Sequence, residues 1–153
     1  MLAPNHRMTE PWGFVVLGPE ARRAYGVIRG NRRARAVADP AVAKSVQQST
    51  IEAMESLPAA VVFTQRLAED PEVREEDFAT VYMGIQNFLL AAVSVGLGTH
   101  VKTGAILESP ETREALGVRD DERVVALVHV GGVKSIPDPK QRSSAAVRTR
   151  WLP

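Results

Sequence analysis

The longest helical pattern in the chain lies between residues 76 and 95. Its apolar residues recur at intervals of three and four, at Phe78, Val81, Tyr82, Ile85, Phe88, Leu89, Ala92 and Val95. This spacing places them on one wide face of an α-helix, and such a face must be buried against another layer of structure. The run ends at Gly96-Leu97-Gly98, where glycine can adopt the left-handed conformation that closes a helix. The sequence therefore predicts a core helix here.

Three short apolar runs around this helix are typical of β-strands. They span residues 14–17, 58–64 and 123–131, and each is rich in valine or other strand-forming residues. The third run is continuously apolar, which predicts a central strand that is covered on both faces. Residues 99–103 form one further short extended segment.

Proline and glycine mark the remaining elements. Pro19 favours the start of a first helix, and an arginine-rich break that contains Gly30 and Asn31 is expected over residues 29–39. A second helix is predicted from residue 40 to 55, a charged loop over 66–75, and a short helix from Ser109 to Leu116. Alternating strands and helices in this order predict an α/β (α+β) fold, in which helices cover a sheet.

Composition excludes several classes of protein. The chain has 153 residues, no cysteine and a formal net charge of +1, so disulfide scaffolds, thiolate enzymes and strongly basic nucleic-acid binders are disfavoured. Its longest apolar stretch, about 8 residues, is far shorter than the roughly 20 needed to span a bilayer. We therefore expect one domain over residues 1–153, a cytoplasmic location, and no membrane or nucleic-acid partner.

Sequence motifs for common catalytic centres are absent. The chain contains no phosphate-binding glycine loop, no zinc-protease motif and no nucleophile elbow. His6, His100 and His129 are far apart and lack acidic partners at metal-binding spacing, so no metal site is expected. This pattern favours neither a catalytic side chain nor a protein-bound metal.

Two basic clusters remain as candidate anion sites. Arg29, Arg32, Arg33 and Arg35 lack interleaved aromatic residues, which favours a solvated helix end over a nucleic-acid surface. Lys140 and Arg142 are two residues apart on an extended segment, so their side chains can point the same way and clamp one phosphate. The alternative for this second cluster is a disordered basic tail.

Three separated stretches together resemble the nitroreductase family of flavin mononucleotide (FMN) enzymes. The first is the segment Ala-Pro-Asn-His-Arg-Met-Thr-Glu-Pro-Trp at residues 3–12, which leads into the first strand. The second covers residues 85–104 and includes Gly96-Leu97-Gly98 and Lys102-Thr103-Gly104. The third runs from Leu116-Gly117 through Gly131-Gly132 to Pro139-Lys140-Gln141-Arg142. In this order they cover essentially the whole chain.

The resemblance implies a particular architecture. It implies a mostly antiparallel central sheet flanked by helices, and a homodimer with one flavin in each of two clefts between the subunits. Family members usually begin with further helices, so the domain at residues 1–153 is expected to be N-terminally shortened. The extended C-terminal tail, residues 134–153, is expected to contact the partner subunit.

The resemblance also implies a chemistry. It implies a flavin-dependent NAD(P)H oxidoreductase that transfers hydride through flavin N5, in a ping-pong scheme, to a flat acceptor such as a nitroaromatic or a quinone. The flavin carries this chemistry, so no catalytic side chain is expected. The implied cofactor-binding residues are Pro4, Asn5, His6 and Arg7 from one subunit, Lys102, Thr103 and Gly104 from the other, and Lys140 and Arg142 at the phosphate.

Two other functions stay open on the sequence alone. One is a shortened, non-catalytic homologue that binds FMN or another flat anion weakly, as a carrier or regulator. The other is a nucleic-acid-binding module that uses the basic residues from Arg29 to Arg35.

Overall fold

Four antiparallel strands form the centre of the molecule. The structure is a computed structural model, and it describes residues 2–152. The strands are β1 (Trp12–Val16), β2 (Ala59–Arg66), β3 (Leu97–Lys102) and β4 (Glu122–Gly132), and they are arranged in the order β1-β2-β4-β3. The predicted third strand is thus central, as its continuous apolar sequence indicated, and β1 and β3 are the two edges.

Helices cover both faces of this sheet. They are α1 (Pro19–Ala34), α2 (Pro40–Glu55), α3 (Pro71–Ser94), a 3-10 turn at Ala105–Glu108, α4 (Pro110–Ala115) and α5 (Ala145–Arg148). The antiparallel sheet flanked by helices confirms the predicted fold class. Among the described residues, no helix is both long and apolar enough to cross a membrane.

Two apolar clusters lie on opposite faces of the sheet. On one face, Tyr25 of α1 and Met54 of α2 pack with Val62 and Leu127. On the other face, side chains of α3 pack against side chains of β2 and β4. The residues are Val81 and Ile85 of α3, Phe63 of β2, and Val125 and Val128 of β4. Their near-complete burial stabilises the fold, since each large apolar side chain removed from water contributes about 1.5–3 kcal/mol.

Helix α1 is longer than the sequence predicts. We expected a break from residue 29 onward, yet α1 continues to Ala34 and only residues 35–39 separate it from α2. Gly30 lies where the two helices approach closely, and a Cβ placed there would be 2.9 Å from the carbonyl oxygen of Gln47. The glycine therefore permits helix packing instead of ending the helix.

The predicted loop at 66–75 is also mostly wrong. Helix α3 begins at Pro71, because the Asp70 carboxylate accepts a hydrogen bond of 2.8 Å from the Glu72 backbone N–H. An aspartate cap followed by proline is a strong helix start even within a charged sequence. The C-terminal tail differs too, since α5 adds one helical turn to a segment expected to lack regular structure.

Candidate functional site

The N-terminal loop is clamped to the first turns of α3 by ion pairs. Arg7 Nε donates to Glu76 Oε2 over 3.1 Å, and His6 Nδ1 lies 3.2 Å from Glu76 Oε1. Glu72 lies 3.6 Å from the same guanidinium. The hydrogen bond from Arg7, and then that from His6, lowers the pKa of Glu76. The clamp therefore orients two side chains that the sequence assigned to a cofactor site.

A buried carboxylate beside this clamp fixes the rest of the loop. Asp77 is 3% exposed, and its Oδ1 accepts a 2.5 Å hydrogen bond from the Thr9 hydroxyl. Thr9 in turn accepts one from Asn5 Nδ2 over 3.1 Å, and Asn5 Oδ1 accepts one from the Glu10 backbone N–H over 2.8 Å. This chain of hydrogen bonds connects α3 to Asn5.

The loop backbone between these contacts is strained. Met8 and Glu10 have φ values of 49° and 46°, in the left-handed region that non-glycine residues seldom adopt. Such conformations persist only where surrounding contacts enforce them. The Asn5–Thr9–Asp77 hydrogen bonds are contacts of this kind, and they hold the loop in one shape.

A cavity of about 500 Å³ opens between the loop and α3. Its walls are mostly apolar, and its lining residues are Pro4, Asn5, His6, Glu76, Ala79, Thr80 and Met83. Ligand pockets commonly combine apolar walls with a few oriented polar groups. Pro4, Asn5 and His6 are thus brought together at one cavity, with Arg7 next to it in the clamp.

The second predicted group, Lys102 to Gly104, lies where edge strand β3 ends. Lys102 Nζ is 2.9 Å from Nε2 of His100, and burial, followed by repulsion from Arg29, lowers the pKa of Lys102. Gly104 has a φ of +124°, and a Cβ built on it would meet nothing within 4 Å. A flat ligand could therefore lie directly against the backbone of this turn.

The third predicted group lies in the C-terminal tail. Lys140 and Arg142 are exposed in the irregular part of the tail, and neither makes a hydrogen bond or ion pair with another described residue. Strand order separates the first two groups, since the N-terminal loop leads into edge strand β1 and Lys102 ends the opposite edge strand. A single chain does not assemble the predicted site.

Sequence reasoning missed four residues that support these groups. Glu76 and Asp77 hold the N-terminal loop, Thr9 links Asp77 to Asn5, and His100 holds Lys102. Two signals could have found some of them. Asp77 is a carboxylate next to the apolar stripe of a core helix, and His100 precedes Lys102 by two residues, which places both on one face of a strand.

No metal site emerges from the described part of the chain. Within residues 2–152, no group of three or more His, Cys, Asp or Glu side chains is arranged to hold a metal ion.

The helices layered around a four-stranded antiparallel sheet superpose on a solved nitroreductase-like protein, which places the fold in the nitroreductase class. The model of the Nitroreductase family matches residues 1–132. The chain belongs to this family, which confirms the resemblance drawn from its sequence.

Curated relatives point the same way. The Bacillus subtilis protein named "Putative NAD(P)H nitroreductase YfhC" is 30% identical over 141 residues, which cover 92% of this chain and 72% of the relative. The Escherichia coli K12 protein named "Putative NAD(P)H nitroreductase YdjA" is 26% identical over 147 residues, covering 91% and 78%.

Solved structures share the fold. A nitroreductase-like family protein from Bacillus cereus superposes with a TM-score of 0.80 at 27% identity, covering 98% of this chain and 78% of that one. The NADPH:FMN oxidoreductase of Vibrio harveyi, solved in complex with NAD⁺, superposes with a TM-score of 0.72 at 22% identity, covering 97% and 62%.

Proposed function

We propose that this protein is an FMN-dependent NAD(P)H oxidoreductase of the nitroreductase type, which reduces a flat acceptor such as a nitroaromatic or a quinone. The observation that carries the proposal is the family match over residues 1–132, because that stretch contains both the Pro4–Arg7 loop and the Lys102–Gly104 turn. The names of the Bacillus subtilis relative and the Vibrio harveyi enzyme support the same cofactors.

The residues present fit a flavin. Its ring system is flat and apolar on both faces, with polar atoms along its edge, and Gly104 offers backbone with open space above it. The cavity at the N-terminal loop joins an apolar wall, which includes Pro4 and Met83, to the polar side chain of Asn5. A bound flavin would supply hydride transfer, and the protein would supply position, charge and exclusion of water.

Each group of side chains then has a distinct task. Lys102 would hold a positive charge near the polar edge of the ring, where reduction leaves negative charge. Pro4 and Met83 would exclude water from one face of the cleft. Asn5 would offer its amide at an orientation fixed by Thr9 and Asp77, and Lys140 and Arg142 would hold the phosphate.

The cleft would be completed by a second copy of the chain. Met83, Leu90 and Val93 expose an apolar surface on the outer side of α3, and Leu90 is 60% exposed. In the tail, Trp151 is 91% exposed. Apolar surface of this kind favours a protein partner. A homodimer would cover it, and the tail at residues 134–153 of the single domain would then reach the partner subunit with its phosphate-binding pair.

The experiment is an optical titration of the purified protein. We expect flavin absorbance after addition of FMN and removal of excess, and bleaching of this band by NADPH or NADH without oxygen. Turnover with a quinone and a nitroaromatic then tests the acceptor. A protein that binds no flavin contradicts the proposal, and one that binds FMN but is never reduced is a non-catalytic flavin carrier instead.

A further inference from the structure

Three basic side chains lie together on β3 and β4 at one edge of the sheet, and the charge of a fourth, on α1, acts on them. His100 on β3 pairs across the strands with His129 on β4, and their rings are 6.1 Å apart and nearly edge to face. Lys102 lies two residues beyond His100 on the same face. The charge of Arg29, on α1, acts on all three. We call these four residues the basic cluster.

No acidic side chain compensates this cluster within the described residues. The charged or titratable groups that perturb His100, Lys102 and His129 are all members of the cluster itself. None of the four makes an ion pair or a hydrogen bond with an aspartate or glutamate in residues 2–152. Like charges held together in this way raise the free energy of the folded chain unless an anion joins them.

The pKa values of the two imidazoles are lowered. Burial, followed by repulsion from Lys102 and Arg29, lowers the pKa of both rings, and that of His129 falls to about 4. Nε2 of His129 is buried and has no hydrogen-bond partner among the described residues. An unpaired buried polar atom costs free energy, so this nitrogen favours a ligand that can pair with it.

A cavity next to the imidazoles can admit such a ligand. It has a volume of about 520 Å³, and its lining includes His100, His129, Gly98, Gly131 and Lys134. One water occupies roughly 30 Å³ of liquid, so the cavity has room for a phosphate group together with solvent. The tail side chain Lys134 adds a further positive charge at its edge.

We propose that the basic cluster binds a phosphate group as its dianion. The cluster lies at the Lys102–Gly104 turn, so the choice of phosphate-bearing cofactors rests on the proposed function. A dianion matches the site better than a single carboxylate does, because two imidazoles and the Lys134 ammonium line one cavity and Lys102 lies 2.9 Å from His100. The sources of this chemistry are free phosphate, the phosphate of FMN and the 2′-phosphate of NADPH.

Phosphate binding should be coupled to proton uptake. A bound dianion opposes the repulsion from Lys102 and Arg29, so it favours the protonated forms of both rings. Binding is therefore expected to tighten as the pH falls through the pKa of each ring in the complex, over the range in which phosphate remains a dianion. The charged groups that act on the imidazoles or share their cavity are Arg29 of α1, Lys102 of β3 and Lys134 of the tail, and none of these is acidic.

The chain contains three histidines, so their NMR signals can report on the site directly. We expect inorganic phosphate, added to the full-length purified protein, to shift the ring signals of His100 and His129 and to raise their titration midpoints. His6 is paired with Glu76 at the other site and serves as the internal reference. The His6→Gln variant identifies the His6 signal by its loss. If phosphate leaves the His100 and His129 signals unchanged, or shifts all three histidine signals alike, the proposal is wrong.

A second test measures the affinity for phosphate in substituted proteins. Arg29→Gln and His100→Gln should each weaken phosphate binding roughly tenfold or more, because each removes a charged or polar contact. Arg32→Gln, on the same helix, is the matched control and should leave binding unchanged. Two substitutions on different elements guard against a local folding defect. Equal affinity in all three variants overturns the proposal.

Cofactor pairs then identify the source of the phosphate. If Arg29→Gln weakens FMN binding more than riboflavin binding, the cluster holds the flavin phosphate in place of Lys140 and Arg142, and Lys102 lies at the phosphate instead of the ring. If it lowers kcat/KM for NADPH more than for NADH, the cluster holds the 2′-phosphate. If only inorganic phosphate is affected, the site takes the free ion. A wild-type protein that binds phosphate but is never reduced as a flavoprotein contradicts the proposed function and leaves the anion site standing.

Discussion

Asp77 is the residue on which the N-terminal loop depends most. Its carboxylate is buried on α3 and is held by the hydroxyl of Thr9, which also accepts from Asn5. Removal of that hydroxyl would leave a buried carboxylate without this partner and Asn5 without its orienting contact. Loss of the Thr9 hydroxyl should therefore lower both the stability of the fold and the affinity for the cofactor.

The first prediction concerns Thr9→Val, which keeps the side-chain shape and removes the hydroxyl. We expect a loss of about 1–3 kcal/mol in the free energy of unfolding, measured by urea titration, and a weaker Kd for FMN. Thr149→Val is the matched control, because the Thr149 hydroxyl donates to the Ala145 carbonyl of an exposed helical turn. A Thr9 variant as stable as the control would show that this hydrogen bond does not hold the loop.

The second prediction concerns the pH dependence of the Glu76 clamp. Its pKa in the folded chain is lowered, chiefly by Arg7, so the clamp contributes stability above the ordinary glutamate pKa of 4.5 and loses it as the pH falls through the folded value. Glu76→Gln should therefore lower the urea midpoint near pH 7, and the two proteins should converge as the pH falls below the lowered pKa of Glu76. The difference should shrink in salt, because the pair is exposed to solvent. A difference that persists in acid contradicts this account.

At the scale of elements, the approach of α1 to α2 depends on a missing side chain. Gly30 faces the backbone of Gln47 so closely that a Cβ would meet its carbonyl oxygen at 2.9 Å. The helices would have to move apart to accept any other residue. Tyr25 and Met54, which pack on the sheet from these two helices, would move with them.

The third prediction is that Gly30→Ala destabilises the fold. Overpacking typically costs about 1–3 kcal/mol, which outweighs the gain of roughly 1 kcal/mol that alanine brings to a helix interior. Thermal unfolding should show a lower Tm for this variant. Gly18→Ala is the control, because a Cβ at Gly18 meets nothing within 4 Å and its change should be slight. A Tm at or above that of the wild type would mean that the helices adjust freely.

Local signals predicted most elements and none of the long-range contacts. The apolar period of α3 and the continuous apolar run of β4 sufficed to identify both, because burial imposes those patterns on the sequence. Gly30 was misread because a glycine that ends a helix and one that permits close packing look alike without the neighbouring helix. The extension of α3 to Pro71 was missed because its first turns are charged, although Asp70-Pro71 carried the signal.

The candidate site shows the same division. Pro4–Arg7 and Lys102–Gly104 came from family resemblance, which preserves the order of motifs along a chain. The resemblance did not identify the residues that hold these groups in place. Glu76 and Asp77 are about seventy positions along the chain from the loop they hold, and Thr9 is 68 positions from its buried partner. Only the folded chain brings such pairs together, and Lys140 and Arg142 stay a prediction.

At the scale of the whole molecule, the exposed side of α3 is the surface least suited to water. Met83, Leu90 and Val93 follow the helix at intervals that keep them on one side, and the tail adds Trp151. If this surface is where two copies meet, a charge placed on it should separate them and should also open the cofactor cleft.

The fourth prediction is that Leu90→Glu converts a dimer to a monomer. Sedimentation velocity at micromolar concentration should detect the change, and the monomer should lose affinity for FMN, because each cleft is proposed to use both subunits. Val42→Glu, which places the same charge on exposed α2, is the matched control and should leave the dimer intact. A wild-type protein that sediments as a monomer of 16.6 kDa contradicts the proposed dimer.

Because the N-terminal loop and Lys102 lie at opposite edges of the sheet, two variants that are each defective should complement each other in a mixed dimer. Thr9→Val and Lys102→Gln would damage opposite halves of the cleft, so each variant alone should bind FMN poorly. When the two variants are unfolded together and refolded, some dimers should contain one subunit of each variant. In such a heterodimer both substitutions fall in one cleft, and the other cleft has the wild-type residues. If the mixture of the two variants binds FMN better than either variant alone, each cleft is built from both subunits. If the mixture binds no better, both halves of the cleft lie within one chain.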